Sequence, residues 1–117
     1  MSETQDILFD SPGEHVCRIR FNRPERMNAL GMATVKALRE AVGEAEARRA
    51  RVLLVQGTGR AFCAGADLKE RKGMDLAGKL AHNADIRAAI EALAATRCIT
   101  IAVINGFALG GGTELAL

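Results

Sequence analysis

Two glycine-rich stretches and one acid are the residues of this chain most able to do chemistry. The first stretch, GTGRAFCAGAD, places Gly57, Gly59 and Gly65 within nine residues. The second, NGFALGGGTELAL, carries the run Gly110, Gly111 and Gly112, followed by Glu114. Glycine lets a backbone approach a ligand closely and leaves its N–H group unshielded. A glycine run that opens a helix adds unpaired first-turn donors and the positive end of the dipole. Two such loops could each aim one N–H at a single oxygen, an oxyanion hole for a carbonyl that gains charge in the transition state. Glu114 stands in the first turn beside the second loop, within reach of a proton on a nearby water or carbon. The plainer alternative is that the glycines relieve crowding at tight turns and that Glu114 is a dipole partner or a surface charge.

Neither stretch is a phosphate loop. Phe62 stands where the third glycine of G-x-G-x-x-G belongs, and Gly112 stands where a Walker motif needs its lysine. The cysteines Cys17, Cys63 and Cys98 are odd in number, far apart, and share no ligand spacing with His15 or His82. They read as buried free thiols of a reducing compartment, with no metal and no disulfide. The 16 basic and 14 acidic residues leave a net charge of +2, which gives no general attraction to nucleic acid or anionic membrane. The segment MSETQDILFD lacks the apolar core of a signal peptide, and no stretch is long enough to span a membrane, so a cytoplasmic protein is expected.

The elements that must position these loops follow from periodicity. HVCRIRF (15–21) alternates as a half-buried strand, with Cys17, Ile19 and Phe21 on one face. NRPERMNALG is irregular around Pro24. From Met32 the pattern turns helical, with Met32, Val35, Leu38 and Val42 on one face. RVLLVQG reads as a buried strand of a parallel sheet. ADLKERK can start a helix, and residues 75–96 form a long one with Leu76, Leu80, Ala84, Ile90 and Leu93 as its core positions. CITIAVI (98–104) is a second buried strand, NGFALGGG a loop, and TELAL the beginning of another helix. Strand and helix alternate, so the fold is α/β with a mainly parallel sheet flanked by helices. Both glycine loops then sit at the carboxyl ends of strands, where open α/β sheets bind ligands.

Three segments, FNRPERMNAL (21–30), GRAFCAGADLKER (59–71) and INGFALGGGTELAL (104–117), resemble successive signatures of the crotonase, or enoyl-CoA hydratase/isomerase, superfamily. The resemblance runs from about Ile19 to Leu117. It implies a repeated ββα spiral core that binds a coenzyme A thioester, with the coenzyme part of the substrate and no separate cofactor. By position, it assigns the oxyanion hole to the N–H groups of Ala66 and Gly111. It places Ala64, Ala66 and Lys69 at the adenine end of the coenzyme pocket, and Arg26 and Met27 along the pantetheine and phosphates. It matches Glu114 to the first of two catalytic glutamates that add water across a 2-trans-enoyl thioester, a step of fatty acid β-oxidation. FCAGADLKER also resembles the methylglutaconyl-CoA hydratase branch.

The resemblance further implies that residues 1–117 are the N-terminal part of one crotonase-like domain. The second glutamate, the C-terminal half and the helices that build the family's homotrimers or dimers of trimers would then lie beyond Leu117. With one acid of the pair, this chain alone is expected to be nearly inactive. Other members of the superfamily isomerise, hydrolyse or dehalogenate acyl-CoA thioesters with the same two donors. A non-catalytic assembly or RNA-binding chain is a further class. However, Glu40, Glu44 and Glu46 interrupt the basic residues of the first helix and would repel phosphate.

Overall fold

The alternation in residues 16–21 becomes a strand, β2 (Val16–Phe21), with Cys17, Ile19 and Phe21 buried and Arg18 and Arg20 on the opposite, partly exposed face. A computed structural model describes residues 5–117. It adds a strand that the sequence reading did not anticipate, β1 (Ile7–Gly13), which pairs antiparallel with β2. Their turn passes through His15 at φ 61, and Asp10 and Arg18 form a cross-strand ion pair. The pairing geometry suits opposite charges on facing residues of an antiparallel ladder.

The remaining order is a 3₁₀ turn (Pro24–Arg26), α1 (Met32–Ala47), β3 (Val52–Gly57), β4 (Ala61–Cys63), α2 (Leu68–Arg71), α3 (Leu76–Ala95), β5 (Ile99–Val103), β6 (Phe107–Ala108) and α4 (Gly111–Ala116). Strands β1-β2-β3-β5 form one sheet, in which β2–β3 and β3–β5 are parallel. β4 and β6 form a second, two-stranded parallel sheet. Both were expected to be loop, because each strand is too short for alternation to register. The class is α/β and the main sheet mostly parallel, as the alternation of elements predicts. Helices α1 and α3 pack on each other and bring Val35, Leu38, Val42, Ile86 and Leu93 into one core with Ile19, Phe21 and Leu53.

Three expectations are corrected. In α3 the buried stripe is His82, Ile86, Ala89 and Leu93, while Leu76 and Leu80 are exposed and Ala84 lies outside. Apolar residues run around most of this helix, so their spacing alone does not choose a face, and a polar histidine occupies the core side. Met32 is likewise about half exposed, at the first turn of α1. Strand β5 was expected to be buried, yet Ile99 is 67% exposed and Ile101 45%. It is the edge of the sheet, with β3 as its only strand partner among the described residues.

The Asn28 side chain ties the irregular segment after β2 to the loop that follows β3. Met27 and Asn28 both adopt left-handed backbone (φ 55 and 56), a conformation that asparagine tolerates better than most residues. The fully buried Asn28 amide accepts from Arg23 N at 2.8 Å and donates to the carbonyls of Thr58 (2.9 Å) and Ala61 (2.8 Å). Asn28→Ala is therefore expected to cost about 2 kcal/mol, the order for leaving buried backbone groups unpaired. Urea denaturation checks this, and an unchanged midpoint would refute it.

Candidate active site

Backbone pairing between Leu30 and Ala66 builds the first half of the site. Leu30 N donates to Gly65 O at 2.7 Å, and Asp67 N donates to Leu30 O at 3.0 Å, a parallel bridge. In this pattern the N–H of the intervening residue, Ala66, points away from Leu30. Among the described residues neither Ala66 N nor Gly111 N donates a hydrogen bond. Both residues are half-buried, and Gly111 opens α4, whose first-turn N–H groups have no partner within the helix, so both donors are open to an acceptor from outside the backbone.

The second half comes from the turn between β6 and α4. Leu109 N donates to Cys63 O at 3.0 Å, which lays this turn against the end of β4. A side chain on Gly112 would collide with the Cys63 carbonyl, and one on Gly65 (φ +91) would stand 2.8 Å from Leu109 O and 3.3 Å from Gly111 N. Glycine at these two positions is what lets the loops touch. Ala66, Gly111 and Glu114 then line one cleft of about 320 Å³, with Asn83, Ile86, Arg87 and Ile90 of α3 as its other wall. Glu114 is exposed to it and is anchored through its own N–H to Gly110 O at 3.3 Å.

Burial raises the Cys63 thiol to about 11, partly offset by a hydrogen bond from the Gly65 backbone, so it stays protonated and is no nucleophile. Cys17 and Cys98 are buried as well, as expected. No group of three or more His, Cys, Asp or Glu among the described residues is arranged to hold a metal.

Of the resemblance-assigned coenzyme residues, Ala66 lines the cleft, whereas Arg26, Met27, Ala64 and Lys69 are not among its lining residues. Ala64 N donates to Met27 O at 3.0 Å, joining the two loops. Arg26 donates to Asp67 Oδ1 at 2.5 Å, so its charge is already matched within the chain. Lys69 is exposed on α2.

Sequence reasoning missed Asp67, the residue that anchors this region. Its side chain is 2% exposed and takes Arg23 (2.9 Å) on one oxygen and Arg26 on the other, while Glu70 N donates to it at 3.2 Å as a helix cap. Burial by itself would raise this carboxyl. The Glu70 N–H, the Arg23 hydrogen bond and the two guanidinium charges outweigh burial and hold it below the usual carboxylate range. The pattern D-x-x-E signals the cap, but nothing local signals partners 44 and 41 residues away. The missed α3 wall did leave a trace, because positions 83, 86, 87 and 90 repeat at helical spacing.

A larger groove, about 780 Å³ between α1 and α3, contains none of these groups and mixes Lys36 and Arg39 with Glu40, Glu46 and Asp85. Arg48, at the end of α1, is bound to Glu44 at 2.8 Å and lies over the Phe9 ring. Among the described residues no helix is long and apolar enough to cross a membrane.

Residues 12–117 match the model of the enoyl-CoA hydratase/isomerase family. The chain is 43% identical over 117 residues to the bovine mitochondrial enoyl-CoA hydratase domain-containing protein 2, covering 98% of this chain and 40% of that protein. The human counterpart gives 43% over 118 residues, with 99% and 40% covered. The crystal structure of an enoyl-CoA hydratase from Bacillus anthracis superposes with a TM-score of 0.91 at 40% identity, covering 96% of this chain and 44% of that one. A monofunctional enoyl CoA isomerase from M. smegmatis superposes with a TM-score of 0.77 at 30% identity, covering 97% and 46%. The chain thus spans about 40% of the length of the curated relatives it matches. Its fold is the crotonase fold, and the chain belongs to the enoyl-CoA hydratase/isomerase family.

Proposed function

We propose that the full-length protein is a hydro-lyase that adds water to 2-trans-enoyl-CoA thioesters. The observation that carries this reading is the cleft in which Glu114 joins the two free N–H groups of Ala66 and Gly111. A thioester carbonyl seated there takes both N–H bonds, which strengthen as the oxygen gains enolate charge. Glu114 serves as the first acid/base group, holding the water and taking its proton as oxygen attacks the β-carbon. A second glutamate, beyond Leu117, supplies the proton to the α-carbon. Ala64, Lys69, Met27 and Arg26 flank the coenzyme, which enters with the substrate, so no other cofactor is required. The parent assembles as a homotrimer or a dimer of trimers and acts in fatty acid β-oxidation. Its three buried thiols suit the reducing cytoplasm.

Isomerisation of 3-enoyl-CoA is the second reading, favoured by the likeness to the M. smegmatis isomerase. Incubating the full-length protein with 2-enoyl-, 3-enoyl- and saturated acyl-CoA separates the cases. The expected result is loss of the 2-enoyl absorbance with incorporation of one oxygen from labelled water. Double-bond migration without incorporation would establish the isomerase instead, and free coenzyme A release would establish a hydrolase.

A further inference from the structure

We infer that His82 is a positioning residue for the oxyanion hole, fixing the Ala66 donor relative to the wall of the cleft. This inference rests on the reading of Ala66 and Gly111 as carbonyl donors. His82 is completely buried in α3, on the stripe that faces the core. A polar ring in that position needs partners, and its contacts supply them. Nε2 lies 2.9 Å from Leu30 O. A carbonyl can only accept, so the ring carries its hydrogen on Nε2. Nδ1 then offers its lone pair toward Arg71 Nη2 at 3.5 Å, and the same Arg71 nitrogen donates to Asn83 Oδ1 at 2.7 Å.

Leu30 is the residue that orients Ala66. It grips Gly65 through its N–H and Asp67 through its carbonyl, and Ala66 N–H points outward because of those two bonds. Leu30 O therefore receives two hydrogen bonds, one from the Ala66 loop and one from α3. The His82 bond is the polar tie between the strand-like segment that aims the donor and the helix whose Asn83, Ile86 and Arg87 form the opposite wall. Arg71 extends the tie from α2 to Asn83 in the cleft. Removing the Nε2–H leaves Leu30 O held by Asp67 alone, so apolar packing of residues such as Leu30 and Ile86, which has no directional preference, is left to set the Ala66 loop against α3. Oxyanion donors act through their fixed aim, and a small misplacement is costly.

The test is the carbonyl stretch of a 13C-labelled 2-enoyl-CoA bound to the full-length protein, read by difference infrared spectroscopy beside steady-state hydration. Wild type is expected to shift the band to lower frequency. His82→Leu is expected to lose about half of that shift and to lower kcat about tenfold with KM nearly unchanged, the signature of a donor weakened mainly in the transition state. His82→Gln, whose amide nitrogen can reach Leu30 O, is expected to restore both. A full shift and full kcat in His82→Leu would overturn the role. A wild-type protein that binds the thioester without any shift would instead remove the oxyanion reading beneath it. If His82→Leu does not fold, His82→Asn, whose amide stops short of Leu30 O, makes the same comparison. Failure of both to fold while His82→Gln folds at wild-type kcat and shift would assign the bond to stability alone and overturn the proposal.

Discussion

Glu114→Gln in the full-length protein is expected to lower kcat for 2-enoyl-CoA hydration by about 10²–10⁴, the range for removing a positioned acid/base group. Glutamine keeps the size and hydrogen-bonding reach of the side chain but cannot take a proton. Backbone contacts should survive, because α4 is held by Gly110 O, which accepts from Thr113 N and Glu114 N, and by the Thr113 hydroxyl, which donates to Ala108 O at 2.7 Å. Thioester binding depends on other groups, so KM should stay within about threefold, the pattern of an interaction made only in the transition state. The carbonyl shift of a bound thioester should also persist, because the Ala66 and Gly111 N–H groups are untouched. Steady-state kinetics with a matched infrared measurement checks all three. Hydration at the wild-type rate would mean that Glu114 is a surface charge near the cleft. Loss of hydration with isomerisation intact would assign it to one reaction of two.

Asp67→Asn is expected to destabilise the chain by about 3 kcal/mol at neutral pH, because it strips a buried partner from Arg23 and weakens the bond to Arg26. Arg23 is already committed: its Nη1 donates to Ala29 O at 2.8 Å and reaches Thr34 Oγ1 at 3.3 Å. Thr34 in turn donates to Asp6 at 2.8 Å, so the loss spreads from the Ala66 loop to the start of β1. The pH dependence has a definite sign. The Asp67 carboxyl titrates lower in the folded chain than its ordinary value of 3.8, so between those two values the unfolded chain binds more protons. Its contribution is complete above 3.8 and fades as pH falls through the lower folded value. The gap in urea midpoint between wild type and Asp67→Asn should therefore be widest at neutral pH and narrow in acid. A gap that is constant with pH would show that the ionised carboxylate is not what stabilises the loop.

How much of this was legible in the chain depended on the range of the interaction. Local periodicity identified β2, α1, β3, β5 and the long helix to within a few residues, because alternation and helical spacing are set by neighbours along the chain. The long helix expected over 75–96 spans Leu76–Ala95, and the Asp75 side chain caps it by accepting from Gly78 N at 2.8 Å. The glycine loops were recognisable as sites of close backbone approach, and the position of Glu114 beside one of them was plain. β1 was missed, and the short β4 and β6 read as loop, because pairing with distant strands is what makes them strands.

The amino-acid sequence by itself determined the α/β class, the order of the main elements and the kind of chemistry its two glycine loops could support. Tertiary structure decided which N–H groups are left free, that Ala66, Gly111 and Glu114 share a cleft, and that Asn83 and Arg87 form its far wall. It also decided that Arg26 answers Asp67, that His82 rather than Leu80 faces the core, and that β5 lies at an edge. The physical reason is that backbone periodicity is a local property. The aim of a donor or the partner of a buried charge depends on strand register and on contacts between residues tens of positions apart, which no short window of sequence contains.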